Sequence, residues 1–194
     1  MGGLAFSEVG ESGRDRVLAT LVLAFAADPV ERWMYPEPLQ YLSHFPMFLA
    51  AFGGQAFADR TVRSLGDFSA VAMWLQPGSE ADGDAITATL AETVAADKQD
   101  DVFAALGQMD AAHPSYPHWY LPWFAVDTAL QGKGLGSQLM KPCLEVVDAS
   151  HEPAYLETPN PRTIPFYQRH GFEVTGEARA GACPPITFML RAAQ

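Results

Sequence analysis

With 194 residues, 48% of them hydrophobic and 11% aromatic, the chain is long enough to bury a core and too apolar to be disordered or fibrous. No apolar run reaches the roughly 18 to 20 residues that span a bilayer, and a net charge of −11 repels phosphate backbones, so neither a membrane nor a nucleic acid is an expected partner. Residues 1–112 hold 16 acids against 6 bases and residues 113–194 hold 7 against 6, an uneven balance that either favours a cationic or amine substrate or simply solvates the surface.

The opening residues lack a basic-then-apolar leader, and a cytoplasmic location is expected. Residues 4–9 read as a strand closed by Gly10 and Gly13. Val17, Leu18, Leu21, Val22 and Phe25 then follow helical spacing up to Asp28 and Pro29. A second helix is expected after Pro38, stopping near Gly53 and Gly54. Residues 61–65 and 69–76 form a predicted hairpin about Gly66 and Asp67, with Val71, Met73 and Leu75 on one face and Ala70, Ala72 and Trp74 on the other. Residues 84–109 read as helix, interrupted by a solvated charged joint at Asp97 to Asp101. The apolar run from Trp119 to Val126 predicts a strand. A helix to about Ala149, a strand at residues 154–158, a short helix to His170 and strands near residues 172–175 and 186–190 complete the order. No linker or repeat divides the chain, so one domain over residues 1–194 is expected.

Chemistry concentrates after the Trp119 to Val126 strand. Gln131-Gly132-Lys133-Gly134-Leu135-Gly136-Ser137 leads into an amphipathic helix. The first turn of a helix has N–H groups without partners, and the helix dipole adds positive charge there, so an anion is accommodated. Glycines let that backbone approach the anion closely, or merely make a tight turn. The run is neither the GxxxxGK[ST] loop nor the dinucleotide GxGxxG. Pro142 within the following helix implies a bend or a lost hydrogen bond.

In its context the run resembles the acetyl-CoA signature of the Gcn5-related N-acetyltransferase (GNAT) family, whose core is [QR]xxGx[GA]. Tyr155-Leu156-Glu157-Thr158, Asn160 and Phe166-Tyr167-Gln168-Arg169-His170-Gly171-Phe172 resemble that family's next block. Within the family the motifs are most similar to puromycin N-acetyltransferase-like members, through residues 24–29, 70–74, 131–137, 156–158 and 165–167. The resemblance implies an α/β (α+β) GNAT fold: a mixed, mostly antiparallel central sheet flanked by helices, with central strands splayed at the coenzyme site. Pro122 agrees, because proline cannot donate to a sheet ladder.

It further implies an acetyl-CoA-dependent N-acetyltransferase that acts on a primary amine of a small molecule by direct attack in a ternary complex. Phe124, Ala125, Val126, Gln131, Gly132, Lys133, Gly134, Leu135, Gly136, Ser137 and Asn160 are the implied coenzyme contacts, Asn160 being equally readable as a helix cap. Tyr167 is the implied general acid or packs beneath the coenzyme; Glu157 is a base or acceptor contact, or part of a structural ion pair. Trp33, Tyr35, Phe48 and Phe52 are candidates for the acceptor wall, shared with core packing. His113 and His118 flank the central strand and either could assist proton removal. Cys143 and Cys183 have neither metal-site nor disulfide spacing, and no metal is expected. The alternatives are a non-catalytic acyl-CoA-binding GNAT module and an enzyme that acetylates a protein N-terminus or lysine. A monomer or homodimer fits either.

Overall fold

A computed structural model describes residues 4–194. Seven strands form one sheet in the order β1-β2-β3-β4-β5-β7-β6, where β1 is Phe6–Glu8, β2 Val62–Leu65, β3 Ala70–Leu75, β4 Trp119–Val126, β5 Ala154–Thr158, β6 Glu173–Ala178 and β7 Ile186–Arg191. All neighbours are antiparallel except β4 and β5. The helices are α1 (Arg14–Ala24), α2 (Pro29–Met34), α3 (Pro38–Gly53), α4 (Gln55–Ala58), α5 (Gly83–Thr93), α6 (Ala96–Ala112), α7 (Leu135–Ala149) and α8 (Ile164–Gln168). None is long and apolar enough to cross a membrane.

The alternation along β3 divides the core in two. Val71, Met73 and Leu75 pack with α1, α3, α5 and α6, whereas Ala70, Ala72 and Trp74 pack with α7 and Tyr167. Period-two alternation sends successive side chains to opposite faces, so both faces of this strand are covered and all six of its residues are buried.

The sheet opens at β4 for two reasons. The register against β3 slips between Met73 and Leu75, leaving an extra residue on β4 at Leu121 and Pro122, a β-bulge. Pairing with β5 is confined to Trp119 with Ala154 and Tyr120 with Tyr155. Beyond Tyr120 the two parallel strands part, at the position where Pro122 has no N–H to donate.

Two sequence expectations are corrected. The break between α5 and α6 lies at Val94 and Ala95, and Asp97 to Asp101 sit inside the first turns of α6. There they dock: Lys98 Nζ donates to the Trp33 carbonyl, and Asp101 accepts from Ala182 N at 2.7 Å. The Asp-Pro stop after α1 also starts a helix of its own, with Pro29 in the first turn of α2. α7 runs on through Pro142.

Candidate active site

The segment from β4 into α7 builds one side of the site. Asp127 caps a short 3-10 turn by accepting from Ala129 N, after which Gly132 and Gly134 take φ of +76° and +79°. Only glycine adopts that region without strain. The backbone N–H groups of residues 131–137 donate to no other backbone group among the described residues; the first to do so is Gln138 N, to Gly134 O at 3.1 Å. A run of free donors at a helix N-terminus suits an anion. At Gly136 an added Cβ would come within 3.1 Å of the Phe166 ring, so α7 and α8 approach closely there.

A continuous cavity of about 1200 Å³ opens where β4 and β5 part. Its walls include Phe124, Ala125, Val126, Gln131, Gly132, Gly134, Leu135, Gly136, Ser137, Glu157, Asn160 and Tyr167, and at the other end Trp33, Phe48 and Phe52. Two expected members lie elsewhere. Lys133 is exposed and turns back to donate to Ala129 O at 3.2 Å. Tyr35 is fully buried in the core, its hydroxyl 2.8 Å from Thr93 Oγ1. It follows the last residue of the short α2 and directly precedes Pro36, and its ring turns inward against His44. Phe48 and Phe52 serve both purposes, lining the cavity and stacking edge-on against Trp123. Asn160 caps locally, accepting from Arg162 N at 3.1 Å, and also faces the cavity. The exposed Arg162 and Arg169 add positive charge to the same walls.

Tyr167 is held on α8 between Phe166 and Phe172. Burial, with a smaller contribution from the Asp28 carboxylate, holds its phenol well above the ordinary value, so it remains protonated at neutral pH. Glu157 projects from β5 with a side chain only 4% exposed. Its Oε1 lies 3.1 Å from His113 Nε2, close enough for an ion pair but outside hydrogen-bond geometry. His113 Nδ1 is in turn 3.2 Å from His118 Nε2, and His118 Nδ1 is 2.9 Å from the Tyr116 carbonyl. Desolvation lowers the His118 pKa, favouring a neutral ring. Thus a carboxylate in the cavity stands beside two imidazoles in series, the nearer within ion-pair distance of it and the farther anchored on the Tyr116 carbonyl. The sequence offered both histidines as candidates but had no means of placing them in series with Glu157.

Two acids at the apolar end went unmarked in the sequence. Asp28 is 6% exposed and caps α2, its Oδ1 accepting from Val30 N at 3.0 Å and Glu31 N at 3.3 Å. Glu31, 4% exposed, has Oε2 buried without a partner. Burial raises the Asp28 carboxyl to about 6, and burial followed by the Asp28 charge raises Glu31 well above its ordinary value. The available signal was an Asp-Pro cap with an acid three residues on, inside a run of bulky apolar groups. Cys143 is buried in the core, whereas Cys183 reaches the cavity wall, its thiol raised to about 11 mainly by burial. Among the described residues no cluster of three or more His, Cys, Asp or Glu could hold a metal.

The Acetyltransferase (GNAT) family model matches residues 63–172, more than half of the chain. Solved structures share the fold at low identity. A structure of histone acetyltransferase HPA2 and related acetyltransferase from Corynebacterium glutamicum is 21% identical, with TM-score 0.71 over 100% of this chain and 98% of that one. Arylalkylamine N-acetyltransferase 2 from Aedes aegypti is 15% identical, with TM-score 0.68 over 100% of both. Polyamine N-acetyltransferase from Drosophila melanogaster is 13% identical, with TM-score 0.65 over 96% of this chain and 97% of that one. With more than half of its sequence matching that family's model, the chain belongs to the acetyltransferase (GNAT) family.

Proposed function

We propose that this chain is a single-domain N-acetyltransferase that transfers the acetyl group of acetyl-CoA to a primary amine of a small molecule, by direct attack in a ternary complex. The observation that carries the reading is the continuity of the cavity: one space of about 1200 Å³ joins the free amides of residues 131–137 to an apolar, acidic pocket, with Glu157 and Tyr167 both on its wall.

The residues fit coenzyme A. The amides of residues 131–137 would hold its pyrophosphate, Asn160 would contact it, and Arg162 and Arg169 would supply charge for its phosphates. The β4 backbone at Phe124, Ala125 and Val126, unpaired on the β5 side, would receive the pantetheine arm. Lys133 is left with at most a long-range electrostatic part. When bound, the coenzyme supplies an acyl thioester. Glu157 takes the proton of the incoming ammonium and passes it through His113 and His118 to solvent. Tyr167, kept protonated by burial, is the proton donor to the leaving thiolate. Cys183 on the cavity wall is held as a thiol by burial, which favours direct attack over an acyl-enzyme at that residue. Trp33, Phe48 and Phe52 enclose the acceptor, which favours a small molecule over a polypeptide.

Proteins of the same fold include an arylalkylamine N-acetyltransferase and a polyamine N-acetyltransferase, and this favours an amine acceptor here. The nearness to puromycin N-acetyltransferase-like members rests on the shared motifs. The test is release of free thiol from acetyl-CoA against a panel of amines, with mass spectrometry of the product. Coenzyme binding without turnover of any amine would leave the non-catalytic module as the better reading.

A further inference from the structure

Burying two carboxylates in an apolar wall is costly unless something compensates them. Asp28 and Glu31 have no such compensation among the described residues. Neither forms an ion pair, and Asp28 receives only the two α2 amides that it caps. Glu31 Oε2 has no hydrogen-bond partner at all. The nearest basic side chain in sequence is already engaged: Arg32 donates to Pro36 O at 2.6 Å and lies 5.2 Å from the Tyr41 ring centroid. Both acids nevertheless line the same cavity as Glu157 and Tyr167, a cavity whose apolar lining includes Leu90, Val102 and Ala105, and the Asp28 charge is felt at Tyr167.

From this we infer that Asp28 and Glu31 form a cation subsite, and that the preferred acceptor carries a second positive group, as in an α,ω-diamine or a guanidinoalkylamine, joined to the reacting amine by an apolar spacer. The inference rests on the amine-acetyltransferase reading and narrows its substrate class. The reacting amine must lose a proton before attack and is served by Glu157. A permanently charged far end needs a counter-charge and no base, and two carboxylates that form no ion pair among the described residues supply it. The apolar walls between suit a methylene spacer, and the acid-rich first half of the chain raises the local concentration of such a dication. The elevated pKa values describe the free site, where desolvation opposes ionisation; a bound cation opposes that shift and releases protons.

The test compares short α,ω-diaminoalkanes with n-alkylamines of equal length, in the parent protein and in Glu31→Gln. The diamine-to-monoamine ratio of kcat/KM is expected to be at least about thirtyfold in the parent, since leaving a buried charge without its partner is expensive. In Glu31→Gln it is expected to fall at least tenfold. A ratio near one in the parent, or an unchanged ratio in the variant, overturns the subsite. If Glu31 were instead a base for the reacting amine, both substrates would suffer alike and the ratio would hold. Calorimetry on the protein loaded with coenzyme A separates this inference from the reading beneath it. If no amine is turned over, diamine binding that is lost in Glu31→Gln upholds the subsite while acetyl transfer fails; no diamine binding by the parent removes the subsite. Thermal melting confirms that the variant folds, and Glu31→Met, which fills the apolar site without charge, is the substitute if it does not.

Discussion

Replacing Asp28 by asparagine is expected to stabilise the ligand-free protein in a pH-dependent way. The carboxyl titrates at about 6 in the folded protein and near its ordinary 3.8 when unfolded. The folded state therefore binds more protons than the unfolded state across that interval, so stability is highest below it and falls as pH rises toward 6. By pH 7 the accumulated cost is about 3 kcal/mol, and at pH 5 roughly half of that. Asparagine keeps an oxygen to accept from Val30 N and Glu31 N, so the α2 cap is retained while the ionisation cost is removed. For a chain of this length the gain corresponds to a rise in Tm of roughly 5 to 10 °C at pH 7, shrinking by about half at pH 5. Charged or titratable groups that share the surroundings are Glu31, Tyr41, Tyr167 and Arg32; none but the acids changes charge in this window. Paired melting curves of parent and variant from pH 5 to about 8 read the effect. An advantage that does not grow with pH, or a variant less stable than the parent at pH 7, would refute the claim that Asp28 is buried as an uncompensated charge.

The other expectations concern the chemistry. Tyr167→Phe should lower kcat by roughly 10² to 10³ with little change in coenzyme A affinity, read by steady-state kinetics and calorimetry; equal turnover would remove the proton-donor role. Glu157→Gln should cost about 10² in kcat/KM, and His113→Asn about tenfold, both read by steady-state kinetics; a His113 variant with unaltered turnover would reduce the imidazole pair to packing. Gly136→Ala should weaken coenzyme A binding at least about tenfold, because its Cβ would press on Phe166 at 3.1 Å and the methyl would stand before the free amides. Unchanged affinity in a calorimetric titration would mean that the anion sits elsewhere.

The sequence showed most where a pattern repeats or a backbone demand is chemically narrow. Alternation at residues 70–75 assigned both faces of β3 correctly. Glycines at 132 and 134 sit where positive φ is needed, and Gly171, just after the expected end of the short helix at His170, takes φ of +87°. α2 escaped notice because six residues are too few to display a helical period. Trp33 lies on α2 and lines the cavity, whereas Tyr35 ends that helix with φ −121° and ψ 76°, a non-helical conformation that carries its ring into the core. The Asp97 to Asp101 run was misread as a joint because charge suggests solvent, whereas its partners, Trp33 and Ala182, are 65 and 81 residues away from the side chains they meet. Separation in sequence likewise concealed the proximity of His113 to Glu157.

The bulge in β4 ties these features together. Trp119 and Leu121 face the α7 side, Tyr120 the opposite side; strict alternation would then send Trp123 toward α7. The extra residue at Leu121 and Pro122 shifts the phase, so that Trp123 turns instead to the α1 and α3 side, where it meets Phe25, Phe45, Phe48 and Phe52 edge-on. Phe124 and Val126 are thereby delivered to the α7 face beside Phe166. A proline at that point costs no ladder bond, since β5 has already left. One irregular residue thus orders the aromatic wall of the proposed acceptor pocket and leaves one edge of β4 open for the coenzyme proposed to lie there. In that reading an acetyl group would cross the gap beyond Tyr120, within the cavity that Glu157 and Tyr167 also line.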